Sequence, residues 1–319
     1  MDALSDLLRV VRLDGAFFFA VEAADPWSVE TVAARDLQPR ILPHAEHLIS
    51  YHIITEGRCY GNLLDGDAVE LVPGDVLVFP HGDAHLISSV RGKKVNPNSH
   101  TTQLVRFPNS ARVGPTGPTT TSIICGFLGC DRGPFNPLLA SLPRMMHLRG
   151  MSKGWIGGFT QQLINESREQ RSGSESVLTR LAEVMFIEVL RRYVDELPPG
   201  QTGWLAGLQD EVVGRVLMLL HSRPAHHWTL PDLAHEVASS RSALAERFSS
   251  IIGQPPMQYL TQWRMQVAAN LLAQSSTKVS AIGAQVGYES EAAFSRAFKK
   301  ATGLAPGAWR GAKRPVADG

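Results

Sequence analysis

Apolar residues change their spacing partway along this chain. Through about residue 135 they come in short runs, at 48–55, 68–72 and 75–79, cut by Gly, Pro and Asp. Short, evenly spaced runs predict the strands of a barrel or sandwich. Residues 91–121 are dominated by Pro, Gly, Asn, Ser and Thr, which predicts a long loop or insertion. From about Gly154 the period becomes helical. Trp155, Phe159, Leu163 and Ile164 share one face. After Ser172-Gly173-Ser174 a second stripe follows at Val177, Leu178, Leu181, Ala182, Met185, Val189 and Leu190. Pro198-Pro199-Gly200 ends it. Beyond Asp210 helices are predicted at about 210–221, 230–238, 241–251, 256–273, 279–286 and 291–301, with Ser240 and Ser290 as N-caps. A strand-rich half followed by an all-helical one predicts an α+β multidomain chain. The expected divisions are a β-rich domain at 1–150, a helical segment at 151–197, a linker at 198–209 and an all-α domain at 210–314.

An internal repeat sets the layout of the last domain. At an offset of 50 residues Ser240 matches Ser290, Leu244 matches Phe294 and Phe248 matches Phe298. Gly253, Pro256 and Tyr259 then match Gly303, Pro306 and Trp309. Upstream the offset is 49, pairing Leu233 with Ile282 and Val237 with Val286. Each copy reads as helix, turn, N-cap Ser, second helix, then Gly and Pro, a helix-turn-helix pattern. An ordinary helical bundle with core aromatics does not require Gly and Pro to recur in register. Residues 257–273 join the copies, and as a helix they span roughly 25 Å. That suits two recognition helices entering successive major grooves about 34 Å apart.

With these residues in place, the stretch 228–310 resembles the DNA-binding domain of the AraC/XylS family of bacterial transcription regulators. The matching residues are Ser240-Arg241-Ser242, Leu244, Arg247, Phe248, Gly253, Pro256, Tyr259 and Trp263-Arg264 in the first unit. In the second they are Val286-Gly287-Tyr288, Ser290-Glu291, Phe294-Ser295-Arg296, Phe298-Lys299, Gly303, Pro306 and Trp309-Arg310. Gly283 departs from the Ala usual in the family, and Ser239 from a larger apolar residue; both weaken local packing. Exposed residues near the start of a recognition helix reach base edges. These are Arg241, Ser242, Ala245 and Glu246 in the first unit, and Glu291, Ala292, Ser295 and Arg296 in the second. The resemblance places Arg296 where a base-contacting Arg is common. Lys299, Lys300, Arg310, Lys313 and Arg314 read as phosphate contacts, which position rather than specify.

In the β-rich half, Gly74 to His85 fits G-x5-P-x-G-x2-H, the second motif of the cupin β-barrel. Tyr51-His52-Ile53-Ile54-Thr55-Glu56-Gly57 resembles part of the first motif, with Ser50 where a metal-binding cupin carries a second His. His52 and Glu56 are an even number apart, so a regular strand puts them on one face. His52 and His85 are the expected ligands of zinc or another transition metal, followed by Glu56, His44 and His47. The other reading is a regulatory cupin that has lost its metal and keeps the His residues as polar lining.

The N-terminal half also resembles the cupin subgroup of the family that includes reactive-chlorine-responsive activators. The shared pieces are Met1-Asp2-Ala3-Leu4-Ser5, the segment 80–85, Ile123-Ile124-Cys125-Gly126 and Ser141-Leu142-Pro143. This implies oxidant sensing through cysteine, with Cys125, Cys130 and Cys59 as candidates; a small-molecule effector in the barrel is the alternative. Odd spacing puts Cys125 and Cys130 on opposite faces of a strand. The helices at 151–197 are expected to pack on the barrel or on a second subunit, and the resemblance favours a homodimer.

Charge sharpens the division of labour. The chain of 319 residues has a net charge of only +1. Residues 201–319 carry 12 Lys and Arg against 8 Asp and Glu, while residues 1–200 carry 19 against 22. The balances are therefore +4 and −3, and the basic side falls on the helix-turn-helix domain. No apolar run is long enough for a transmembrane helix, the first residues lack the basic start of a signal peptide, and three cysteines make no disulfide framework. A cytoplasmic, non-enzymatic regulator that binds double-stranded DNA is expected, an activator controlled by a small molecule, metal or oxidant sensed in the cupin domain; the family resemblance implies RNA polymerase as a further partner. A metal-dependent cupin enzyme fused to a DNA reader is the competing reading. The incomplete first motif counts against it, because catalysis needs a full ligand set plus an open position.

Overall fold

In the computed structural model, residues 2–11, 13–95, 110–151, 155–169 and 171–313 are described. Residues 96–109 of the expected loop lie outside them, as do Arg314 and the side chains of Trp155, Ile164 and Lys313. The chain begins with α1 (Ala3–Val10), β1 (Leu13–Ala23), β2 (Ser28–Thr31) and α2 (Ala34–Ile41). Next come β3 (His47–Glu56), β4 (Cys59–Leu63), β5 (Val69–Leu71), β6 (Val76–Phe79) and β7 (His85–Ser88). They are followed by β8 (Ser110–Val113), β9 (Thr121–Cys130), α3 (Pro137–Ser141) and β10 (Met146–Leu148). The helical remainder opens with α4 (Trp155–Glu169), α5 (Ser174–Asp195), α6 (Trp204–Gln209) and α7 (Glu211–Ser222). It continues with α8 (Leu230–Glu236), α9 (Arg241–Ile252), α10 (Pro256–Gln274), α11 (Val279–Gln285), α12 (Glu291–Thr302) and α13 (Pro306–Lys313).

Contacts divide the chain into two units that are not single stretches. One holds Leu13–Asp131 and Leu142–Glu196; the other holds Met1–Arg12, Arg132–Ser141 and Leu197–Gly319. The first is built on two sheets, ordered β10-β6-β3-β9-β1-β8 and β2-β7-β4-β5. Every residue of β9 is buried, as is every residue of β6 and β7. Their core joins Phe19, Val21, Ile123 and Phe127 to Cys59, Leu71 and Ile87, so side chains from both sheets fill one interior. Two strand expectations change. The stretch expected as a loop contains β8, which pairs in parallel with β1 from Ala20↔Ser110 to Ala23↔Val113. The register of β3 against β9 shifts between Ile54 and Glu56, a bulge that breaks the even-spacing rule. Against β1 in this unit, α5 lays its buried stripe of Ala182, Met185, Phe186, Val189 and Leu190.

The second unit gathers the predicted C-terminal helices with three pieces the pattern did not assign to it. Helix α1, capped by Asp2 on the Ser5 amide, contacts α7 and α10 through a face that buries Ala3 and Leu7. Asn270 donates to the carbonyl of Val10 at 2.8 Å. From the 132–141 stretch, the Phe135 amide donates to Gln266 at 3.0 Å. The third piece is α6, inside the expected linker; six residues are too few to display a period, yet Trp204 and Leu205 are buried.

Candidate nucleic-acid interface and barrel interior

The two copies of the repeat fold alike because their caps and cores match. Ser240 accepts from the Ala243 amide and Ser290 from the Ala293 amide, both at 3.2 Å, so each recognition helix starts where its serine stops the preceding turn. Gly253 and Gly303 close α9 and α12 in the left-handed region, at φ +82° and +79°. Leu233, Leu244 and Phe248 in the first copy and Ile282, Phe294 and Phe298 in the second are fully buried, so these three matched pairs lie in the core. Gly283 is explained by closeness. A Cβ there would sit 3.2 Å from the Phe294 side chain, so glycine lets α11 settle on α12.

With the apolar face inward, the opposite face of each recognition helix is left to solvent. Arg241, Ser242 and Glu246 on α9 are exposed and Ala245 is half-buried. On α12, Glu291, Ala292, Arg296, Lys299 and Lys300 are exposed and Ser295 is half-buried. Two arginines of the shared pattern do other work. Arg247 grips Asp210, the N-cap of α7, through Nε at 3.1 and 3.0 Å and a terminal nitrogen at 2.8 Å. Beside it, the Asp210 carboxyl is desolvated, but its hydrogen bonds outweigh this and hold its pKa low. Arg310, expected on a phosphate, instead donates to the carbonyl of Thr277 in the loop before α11. Its basic type and position near the chain end gave no sign of that inward partner.

In the barrel interior, His52 and Cys125 stand opposite each other across the β3–β9 ladder. The Asp83 carbonyl lies 2.8 Å from His85 Nδ1, so that nitrogen carries the proton and donates. His85 Nε2 is then the acceptor for His52 Nε2, 2.8 Å away, and His52 Nδ1 is left to accept from the Cys125 thiol at 3.1 Å. All members of this one-way chain are neutral. Burial pushes the pKa of His52 well below the usual imidazole range and that of His85 down to about 4. Burial raises the Cys125 thiol, and takes the Cys59 thiol up to about 12.

This arrangement does not fit the expected metal. His52 and His85 do meet, but both nitrogens of each ring are used in hydrogen bonds and the pair is too close to bracket an ion. The β-bulge leaves Glu56 exposed, accepting from Ser122 at 3.3 Å rather than lying beside His52. His47 Nε2 sits 2.6 Å from the Pro80 carbonyl, and His44 is exposed. Among the described residues no group of three or more His, Cys, Asp or Glu is placed to hold a metal. The three cysteines are buried, and none is in a disulfide. Cys125 and Cys59 share the barrel core, whereas Cys130 pairs with Leu13 and His47 at the end of β9.

A two-sheet barrel with the Gly74–His85 turn, followed by two matched helix-turn-helix units, defines a transcription regulator with a cupin domain. Comparison with known proteins agrees. The cupin family matches residues 2–195 and a helix-turn-helix domain matches residues 233–312. A putative AraC-like transcription regulator of Streptomyces antibioticus is 31% identical, over 99% of this chain and 100% of that protein. The RCS-specific HTH-type transcriptional activator RclR of Escherichia coli (strain K12) is 25% identical over 99% of this chain and 100% of its own length. A solved AraC-type transcriptional regulator structure from Chromobacterium violaceum covers 36% of this chain and 99% of its own, with 25% identity and a TM-score of 0.32. The chain belongs to the AraC-type transcription regulators with an N-terminal cupin domain, and not to the enzymes. No helix among the described residues is long and apolar enough to cross a membrane.

Proposed function

We propose that this regulator is a transcription activator that reads a two-part DNA site. Arg241, Ser242, Ala245 and Glu246 meet one half, and Glu291, Ala292, Ser295 and Arg296 meet the other. Lys299 and Lys300 hold phosphates beside the second half. The observation that carries this reading is the matched pair of N-capped helices, each with these side chains on its solvent face. The activator reading is supported by the name of the Escherichia coli relative, a transcriptional activator; the partner that activation engages would be RNA polymerase. The test starts from sites mapped on chromatin. Arg296→Ala is expected to weaken binding to such a site by about 1–3 kcal/mol and to relax one base position. Unchanged affinity and unchanged base preference would sink the assignment.

The signal enters through the barrel. Burial of all three thiols, with Cys59 and Cys125 held protonated, supports a small-molecule effector over an oxidant, because thiolate is the reactive form. The active form is a homodimer. Its support lies on α5, where Val177 and Val184 are each 40% exposed and stand seven residues, two turns, apart. Half-buried Leu181 lies between them, so an apolar strip faces out beside the stripe that covers β1. Val184→Asp is expected to turn a dimer into a monomer in sedimentation and to weaken binding to paired sites. An unaltered dimer mass would remove this face from the interface.

A further inference from the structure

Arg264 lies on α10, the helix that joins the two helix-turn-helix units. Its Nε donates to the Pro224 carbonyl at 2.7 Å and its Nη2 to the His226 carbonyl at 2.9 Å. Both carbonyls belong to the loop that leads into α8, the start of the first unit. The same guanidinium lies over Tyr288, with its carbon 6.0 Å from the ring centroid. Tyr288 is in the turn between α11 and α12, inside the second unit, and its ring meets Phe294 at 5.7 Å. Next to it, Gly287 has φ +83°. A Cβ at Gly287 would fall 2.7 Å from the Ala225 carbonyl oxygen and 2.8 Å from Arg264 Nη2. The loop before one reader and the turn within the other thus meet around one side chain, with no room for a methyl group.

The comparison within the repeat singles this residue out. Arg310, on the helix that follows the second unit, clamps the Thr277 carbonyl in the loop before that unit. Arg264 does the same for the first unit, and in addition reaches across to the second. Arg suits such a position better than Lys, because its planar fork presents several N–H groups to separate carbonyls at once.

We propose that Arg264 is a positioning residue that sets the distance and rotation between the two recognition helices, and so the spacing of half-sites the protein accepts. The 19-residue α10 is a rod of about 28 Å. A rod alone leaves the second unit free to rock about its end. One added base pair shifts the second half-site by about 3.4 Å and turns it by roughly 35° around the duplex. Only a braced pair of readers penalises that step sharply. The proposal rests on the two-unit DNA reading.

The experiment uses the full chain and duplexes it selects from a random-sequence pool. The selected duplex is remade with one or two base pairs inserted or deleted between its halves. Affinity and its salt dependence are measured for the wild type, Arg264→Met, Arg264→Lys and Gly287→Ala. The wild type is expected to lose at least about tenfold on a one-base-pair insertion. Arg264→Met binds the parent duplex about tenfold more weakly, loses no more than about threefold further on insertion, and keeps the wild-type salt slope. Arg264→Lys keeps the charge and behaves like the methionine variant. Gly287→Ala wedges the two units apart with Arg264 intact, and also flattens the spacing preference; it carries the test if circular dichroism shows Arg264→Met unfolded. A full wild-type spacing penalty in the folded variants overturns the brace. An equal loss at every spacing with a shallower salt slope overturns it too, and makes Arg264 a phosphate contact. A wild-type chain that selects no two-part duplex overturns the two-unit reading, and the brace with it.

Discussion

Phe298→Ala is expected to destabilise the second helix-turn-helix unit by about 3–5 kcal/mol and to abolish recognition of its half-site. Phe298 has no exposed surface. Its ring lies 5.6 Å from Phe294 and 5.8 Å from Trp309, in a cluster completed by Met265, Leu272, Ile282 and Val286. That core is small, and the helices packed there on α10 are short, α11 having seven residues and α12 twelve. Short helices draw most of their stability from packing rather than from their own hydrogen bonds. A void at the centre therefore removes the contacts that keep α12 seated, and Arg296 is displaced with it. Loss of the N-cap by Ser290→Ala, by contrast, costs about 1 kcal/mol and leaves the core intact. Denaturant unfolding of the two variants should rank them in that order. A cost below about 1 kcal/mol for Phe298→Ala would show that α12 is held by something other than this cluster.

The second large effect is acid instability centred on His221. The imidazole is 4% exposed, stacks on Trp263 at 3.9 Å and has Nε2 2.7 Å from the Tyr259 hydroxyl. Trp204 Nε1 donates to the same hydroxyl at 2.7 Å. Burial among these rings pulls the His221 pKa down to about 3, against an ordinary value of 6.5. The unfolded chain therefore takes up the proton first. The full stabilisation is present above pH 6.5, declines as pH falls below it, and stops declining near pH 3. Over that span the loss is on the order of 5 kcal/mol. His85 acts in the same direction in the barrel unit, with its pKa near 4. His221→Gln is expected to lower stability at pH 7.5 while flattening its fall between pH 6.5 and 3. Parallel stability curves for variant and wild type would show that this ring does not titrate on unfolding.

The readers were far more legible than the barrel interior, and the reason is periodicity. Leu233, Leu244 and Phe248 recur as Ile282, Phe294 and Phe298 at nearly one offset, and a helix turns such spacing directly into a shared face. Capping is equally local, since Ser240 and Ser290 act on amides three residues on. In the barrel, alternation places His52 inward, but one extra residue near Thr55 reverses it and strands Glu56 outside. A bulge of that kind depends on the partner strand and leaves no mark in composition. Helix α6 and the α1 face were equally hidden, because a short apolar patch does not name what will cover it.

Local order alone thus determined the helices of the repeat, where the recognition helices begin, and which of their faces is left to solvent. Those properties depend on neighbours within about four residues. Tertiary structure alone decided that Arg310 and Arg264 turn inward to carbonyls while Arg296 stays out. It also decided that His52, His85 and Cys125 satisfy one another instead of forming a ligand set. A guanidinium or imidazole carries the same chemistry in every setting. What it does is fixed by the partner it finds, and here that partner lies between 33 and 73 residues away in all five contacts.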